Sequence, residues 1–301
     1  MEKISVILTT YNAEKTIQST LDSIFNQTGL NSDFCLELLV IDDCSTDSTT
    51  SILRKNNINY FQTNINSGGP NKGRNIGLNN ATGDYICFID HDDLWDSEKI
   101  RKQLKVIKDV PIVSTGYKVV NLKNGKVIIR SHNIEKVFYY EKNQTFLNKV
   151  SKSKDGQQAY FSTLMIRSEL KNVLFEENFG MIDYDYFLRL FENKESAELG
   201  ECLMTRIMNG DNLSLNIDYR LKDYYYSLLV LEKYRTKYRK QVDLAIKRIN
   251  GSRARYHYLV NEMDNARLYF RKSSIELKTV AYFLSSYFGN QFVKDNFNIF
   301  G

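Results

Sequence analysis

Three carboxylates fall within four residues at Asp90-His91-Asp92-Asp93, immediately after the apolar run Tyr85-Ile86-Cys87-Phe88-Ile89. An ionised carboxylate cannot continue a buried strand unless it is paired, solvated or bound to a metal. The preceding run suits a strand buried on both faces of a parallel sheet, so the acidic cluster belongs at the carboxyl end of that strand. Ligands of open α/β sheets bind at that edge. Asp-x-Asp on an extended segment can offer hard oxygens to Mg2+ or Mn2+, and such metals commonly share their shell with substrate phosphates. Taken alone, the cluster reads equally well as a strand running into an acidic turn, with Asp96-Ser97-Glu98 opening a helix.

Two further apolar runs end in polar signatures. Lys3–Leu8 leads into Thr9-Thr10-Tyr11-Asn12, and Leu36–Ile41 leads into Asp42-Asp43-Cys44-Ser45-Thr46-Asp47. Between them, Ala13–Gln27 places Ile17, Leu21, Ile24 and Phe25 on one face and reads as an amphipathic helix. A second helix is expected from Asp47 to about Lys55, a third strand at Ile58–Phe61, and a short helix ending near Ala81. Alternation of this kind builds a parallel sheet with helices on both faces. It would bring the three strand ends into one crevice suited to a nucleotide diphosphate. In the polar loop before the third helix, Gly68 and Gly73 have the spacing of a P-loop, but Arg74 stands where its Lys would be and no Ser or Thr follows. Lys72 and Arg74 beside a helix start can still pair with phosphate oxygens.

The 301 residues are 42% hydrophobic with only two prolines, so a sizeable core is expected. Met1-Glu2-Lys3-Ile4 enters a strand-like run directly, unlike a signal peptide, and no stretch approaches the ~20 apolar residues of a transmembrane helix. Cys35, Cys44, Cys87 and Cys202 lack metal-ligand spacing, and three of the four lie in or beside expected strands and read as small core residues in a reducing cytosol. Charge is uneven. Residues 217–301 hold 16 Lys and Arg against 8 Asp and Glu, a net of +8, so the rest of the chain carries −3 of the total +5.

Residues 3–100 resemble the nucleotide-binding half of the family 2 glycosyltransferases, through SVILTTYN, LELLVIDDCSTDST and GGPNKGRNIGLNNATGDYICFIDHDDLW in that order and spacing. The resemblance implies a GT-A fold, a Rossmann-like, mostly parallel sheet with flanking helices. It implies that Thr9 and Tyr11 flank the nucleoside, with Asn12 in the same donor-binding set. Asp43 would bond the pyrimidine base, Arg74 would lie near the diphosphate, and Asp90 would reach the ribose. Asp92 would hold a divalent metal (Mg2+ or Mn2+), and Asp93 would support the turn.

The second third of the chain is expected to serve the acceptor. Lys123-Asn124-Gly125-Lys126 signals a hairpin, and Tyr160–Ile166 reads as an apolar strand. Asp183 appears in a segment that resembles the family's catalytic helix start. There the resemblance makes it the base, although Ile182 stands where the family has Glu. From the residues alone, a carboxylate at a helix N-terminus reads more readily as an N-cap. Arg206 resembles the first residue of a family loop that closes over the diphosphate, with Met208 where a His is common. His91, His132 and His257 show no ligand spacing. From Ile217 the chain turns helical and rich in Tyr, Lys and Arg. Met263-Asp264-Asn265 and Ala266-x-x-x-Phe270 resemble part of one tetratricopeptide unit.

The expected organisation is a GT-A domain over 1–216 (donor half 1–109, acceptor half 110–216) and a basic helical appendage over 217–301. The expected function is metal-dependent, inverting transfer of a sugar from a nucleotide-diphosphate donor, a UDP-sugar by preference. The acceptor is a glycan or lipid-linked glycan, as in bacterial surface polysaccharide synthesis. Nucleic acid is not expected as a partner. The expected location is the cytoplasm or the inner face of the cell membrane, with membrane-surface contact or self-association open to 217–301. Two rival readings are a non-catalytic nucleotide-sugar-binding subunit and a sugar-1-phosphate nucleotidyltransferase. The latter needs a glycine-rich basic loop after the first strand, where Thr9-Thr10-Tyr11-Asn12 has no glycine.

Overall fold

The computed structural model describes residues 1–153, 155–178, 183–208 and 217–291. It divides into two units, Met1–Phe146 with Asp155–Tyr219, and Leu147–Lys154 with Arg220–Gly301. The segment 147–154 thus groups with the C-terminal helices, a detail its polar, Lys-rich sequence does not signal.

The first unit runs β1 (Glu2–Thr10), α1 (Ile17–Phe25), β2 (Phe34–Asp42), α2 (Thr49–Lys55), β3 (Tyr60–Gln62), α3 (Asn71–Asn80), β4 (Tyr85–Asp90), β5 (Asp93–Trp95) and α4 (Lys99–Val106). It continues through β6 (Ile112–Asn121), β7 (Val127–Arg130), β8 (Val137–Tyr140), α5 (Gln144–Val150, whose residues from Leu147 belong to the second unit), β9 (Met165–Arg167), α6 (Tyr184–Phe191) and β10 (Ser196–Met208). The sheet order is β3-β2-β1-β4-β9-β6-β10-β5, with β7 beside β6 and β8 beside β10. The first four strands are parallel to one another, as the strand–helix alternation predicts. Beyond β4 the pairing becomes mixed, with β9 antiparallel to β4 and β6, and β10 parallel to β6.

Both faces of the central strands β1 and β4 are buried. Ile4, Val6 and Leu8 of β1 and Cys87 and Ile89 of β4 pack with Ile17, Leu21 and Ile24 of α1 and with Ile100 and Leu104 of α4. On the other face Phe88 meets Phe161, Phe175 and Tyr186 edge-on, and Phe175 stacks on Tyr186 at 3.8 Å. Each large apolar side chain so buried contributes roughly 1.5–3 kcal/mol. Helix α3 lies tight against the sheet because it carries Gly77, where a Cβ would stand 2.5 Å from Ile7 Cγ2.

The register is what positions the site. Thr9 lies opposite Asp90 on one side and Ile41 on the other, and Thr10 lies opposite Asp42, so three strands end level. Several expectations need correction. α1 starts at Ile17 rather than near Ala13. Tyr160–Ile166 is not one strand: Phe161–Thr163 forms a 3-10 turn, and only Met165–Arg167 is extended. Asp93 does more than support a turn, because it opens β5 and pairs in register with Arg206 of β10. The 123–126 hairpin forms as expected, with Gly125 at φ +66°.

In the second unit, α7 (Ile217–Glu232), α8 (Arg239–Leu259), α9 (Met263–Arg271) and α10 (Leu277–Ser285) follow one another. Ala254 and Tyr258 of α8 bury Ala266 and Phe270 of α9 and Tyr282 of α10, which is the small-and-aromatic packing that the Ala266/Phe270 spacing anticipates. Segment 147–154 is tied in through Arg248 donating to the Ser151 carbonyl (2.7 Å) and Lys152 donating to Ser227 Oγ (2.9 Å). No helix among the described residues is long and apolar enough to cross a membrane.

Candidate active site

A cleft of about 770 Å³ opens at the level strand ends, a size suited to one small ligand. Thr9, Thr10, Tyr11 and Asn12 line it from the end of β1, and Asp43 from the end of β2. Gly73 and Arg74 of α3, Asp90 and Asp92 after β4, Asp183 at the start of α6 and Arg206 of β10 complete the wall. Lys72 is not among the lining residues, so the structure brings together every expected site residue except that one. The expected loop beyond Arg206, at Asn209–Ser214, lies outside the described residues, as do Gly180, Met181 and Ile182; Arg206 itself is in a strand. A second depression, of about 400 Å³ at the opposite end of β4 beside Asp84 and Arg167, holds none of the strand-end motifs.

Each polar wall has a local cause. Asp42 does not face the cleft. It is buried and accepts from Ser45 N (3.0 Å), Ser45 Oγ and Gln62 Nε2 (2.9 Å), which folds the chain after β2 back on itself. Ser45 Oγ in turn accepts from Asn12 N at 2.9 Å, and Asn12 Oδ1 accepts from Thr46 N at 2.8 Å, with Asn12 left-handed at φ +46°. Asn12 thereby locks the two motifs together. Asp43 accepts from Thr63 Oγ1 (2.8 Å) on one oxygen and from Ser67 N and Oγ (both 2.9 Å) on the other. A carboxylate offers about four acceptor sites, so a ligand N–H can still be received. Thr10 Oγ1 is buried with no hydrogen-bond partner among the described residues, a polar atom that a ligand at this edge could satisfy.

The charged wall is organised around Arg74. Its guanidinium is buried, lies 4.1 Å from the Phe161 ring centre and 5.4 Å from that of Phe175, and donates to Asp90 Oδ1 at 2.8 Å. Burial alone would raise the Asp90 carboxyl, but Arg74 holds it below the ordinary range. Tyr160 donates to the other Asp90 oxygen (3.3 Å), stacks on Tyr117, and carries Arg206 over its ring at 5.0 Å. Ser162 Oγ accepts from Asp90 N (3.1 Å) and donates to Asp93. Burial, then the neighbouring carboxylates of Asp90 and Asp92, push the Asp93 carboxyl well up. Asp92 is pushed up as well, first by burial and then, against His91, by Asp90. A divalent cation beside Asp92 would relieve this crowding of carboxylates, so the donor chemistry fits one. No group of three or more His, Cys, Asp or Glu forms a metal cage among the described residues. A cation here would therefore complete its shell with phosphate oxygens and water, as Mg2+ does when held by one or two carboxylates.

Asp183 stands at the N-cap position of α6 yet makes no capping hydrogen bond from its side chain. It faces the cleft and adds to the field that keeps Arg74 charged. Asp185, two residues on, is buried away from the cleft lining, where Arg189 Nε donates to it at 2.7 Å. Tyr160 and Phe161, which line the cleft, and Ser162, which bridges Asp90 and Asp93, carry no local signal that separates them from an apolar strand. His91, which shows no ligand spacing in the sequence, lines the cleft with Thr16 Oγ1 3.3 Å from its Nδ1. His132 stacks on Phe138, and His257 stacks on Tyr269.

A parallel half-sheet whose level ends carry Thr-Tyr-Asn, Asp-Asp and Asp-x-Asp around one cleft defines a doubly wound α/β protein with its ligand site at the carboxyl ends of the strands. Residues 5–174 match the profile of Glycosyl transferase family 2, more than half of the chain, and the chain belongs to that family. The poly(ribitol-phosphate) beta-N-acetylglucosaminyltransferase TarS of Staphylococcus aureus is 42% identical over 105 residues, 34% of this chain and 18% of that protein. An uncharacterized glycosyltransferase of Haemophilus influenzae is 31% identical over 195 residues, 62% of this chain and 71% of that protein. The chain spans about a fifth of the length of the curated relatives it matches first. The crystal structure of S. aureus TarS 1–349 in complex with UDP-GlcNAc superposes with a TM-score of 0.64 at 22% identity, covering 94% of this chain and 79% of that one. That likeness shows the GT-A fold.

Proposed function

We propose that this chain is an inverting glycosyltransferase. It moves a sugar from a nucleotide-diphosphate donor, a UDP-sugar by preference, to a hydroxyl of a glycan or lipid-linked glycan in bacterial surface polysaccharide synthesis. What carries the reading is one cleft lined by Thr9, Tyr11, Asp43, Arg74, Asp90, Asp92, Asp183 and Arg206. The complexes of TarS with UDP and with UDP-GlcNAc support the choice of donor.

In this mechanism Thr9, Tyr11 and Asp43 hold the nucleoside at the β1 and β2 ends, and Asp90 reaches the ribose. Asp183 takes the proton from the acceptor hydroxyl. The acceptor oxygen then bonds the anomeric carbon from the face opposite the leaving group, and the bond to the diphosphate breaks. Arg74 and Arg206 stabilise the charge that develops on the departing diphosphate. A divalent metal on Asp92 would supply Lewis-acid stabilisation of that same charge. Residues 217–301, with their net charge of +8, would meet a lipid surface or a second copy at the inner face of the cell membrane.

The test is release of nucleoside diphosphate from a donor panel, with acceptor, with and without Mg2+ or Mn2+. Turnover that needs metal is the expected result. Donor binding without turnover on any acceptor tried would favour a non-catalytic binding subunit.

A further inference from the structure

Helix α10 carries an apolar stripe that the described residues of the second unit do not cover. Leu277, Val280, Ala281 and Leu284, followed by Tyr287 and Phe288 in the turn after it, are exposed, while Tyr282, Ser286 and Asn290 are buried. At 100° per residue the exposed positions span an arc of about 120°, so they form one continuous face. The exposure is extreme at its ends: Ile275 is 93% exposed, Leu277 89% and Phe288 84%. Scattered surface leucines are ordinary, but a contiguous stripe of large apolar side chains marks a binding face.

We propose that this stripe is a membrane-surface anchor that docks on anionic lipid. Two observations select that occupant. The first is charge. Arg271, Lys272 and Lys278 lie exposed around the stripe with Glu276 as the acidic residue between them, within a region whose net charge is +8 while the rest of the chain carries −3. Basic residues flanking an apolar face with aromatics at its end are the pattern of an interfacial helix, which sinks ~5–10 Å into the headgroup boundary. The second is the place of the aromatics. Tyr287 and Phe288 are exposed at one end of the stripe, and rings at the end of an apolar face suit the boundary between headgroups and acyl chains. The inference is independent of the transfer reaction, since it concerns only the helical unit.

The full chain is sedimented with phosphatidylcholine vesicles and with phosphatidylcholine–phosphatidylglycerol vesicles, with no sugar nucleotide present. Binding to the anionic vesicles is expected, weakened but not abolished at high salt, because the charge contribution is screened and the apolar one is not. L277D/F288D alters two nearly fully exposed positions and should retain the wild-type melting temperature while losing about tenfold in partitioning per side chain removed from the bilayer. K272E/K278E should lose binding mainly at low salt. Equal binding by L277D/F288D and wild type, or no binding by either, overturns the proposal. So does a wild-type dimer by light scattering that L277D/F288D converts to a monomer without vesicle binding, which would make the stripe a contact between copies.

Discussion

Arg74 is buried against two aromatic rings and keeps its charge because Asp90 lies 2.8 Å from its guanidinium. Breaking such a pair leaves the partner charge desolvated, which costs more than the pair is worth intact. Arg74→Met is therefore expected to lower stability by about 3 kcal/mol, at the low end for a buried pair because Asp90 keeps some exposure. The double variant Arg74→Met/Asp90→Asn should recover part of that loss, and urea unfolding of the four proteins checks it. Asp92 is the opposite case, a carboxylate pushed up by burial and by Asp90. Asp92→Asn keeps the shape and removes the anionic charge that the proposed metal would need. It is expected to abolish transfer and to flatten the dependence of donor Kd on Mg2+ concentration; an unchanged metal dependence would move the metal elsewhere. Asp90 and Asp92 were legible in the sequence because a carboxylate cannot extend a buried apolar run, so the run must end there at an edge open to solvent or ligand. Lys72 was not, since its neighbours in sequence, Gly73 and Arg74, line the cleft and it does not.

At the scale of elements, β1 and β2 are clamped to the turn before β4 by Glu37. Its carboxylate accepts from Lys3 Nζ (2.7 Å), Ser5 Oγ (2.5 Å) and Thr82 N (2.8 Å). Burial would raise this group, but the hydrogen bonds from Lys3, Ser5 and Thr82 win and lower it from 4.5 to about 2. With the folded value below the unfolded one, unfolding takes up a proton between these two values. The stabilisation is complete above pH 4.5 and is lost as pH falls toward 2. Glu37→Gln should accordingly be less stable than wild type at neutral pH, and the difference should shrink on acidification across that window. Thermal melts of both proteins at a series of pH values measure it. The parallel strands were legible because a run buried on both faces announces itself. β5 was not: Asp93-Leu94-Trp95 has no period to read, and only its long-range pairing with β10 makes it a strand. The turn at Phe161–Thr163 was misread for the reverse reason. Its residues are apolar enough for a strand, yet Ser162 must face back to reach Asp90 and Asp93.

At the scale of the whole molecule, the family motifs of the first hundred residues do not build the cleft by themselves. β4 needs β9 as its second neighbour, and Tyr160, Asp183 and Arg206 reach the cleft from the second half of the sheet unit. A fragment of residues 1–109 is expected to show no cooperative melt and no UDP binding by calorimetry, whereas the full chain should do both. The charge imbalance was plain in the sequence, but the grouping of 147–154 with the helices was not, because it depends on contacts such as Arg248 to Ser151. In the proposed reaction Asp183, at the start of α6, is the base that acts in this cleft. The most direct measurement is kcat and donor Kd for Asp183→Asn beside Asp185→Asn. Asp183→Asn should lower kcat by ~10²–10⁴-fold, the usual worth of a positioned base, with donor Kd nearly unchanged. Asp185→Asn should keep near-normal turnover and melt at a lower temperature, from the weakened Arg189 pair. Near-normal turnover in Asp183→Asn with a large loss in Asp185→Asn would contradict the role of Asp183 as the base.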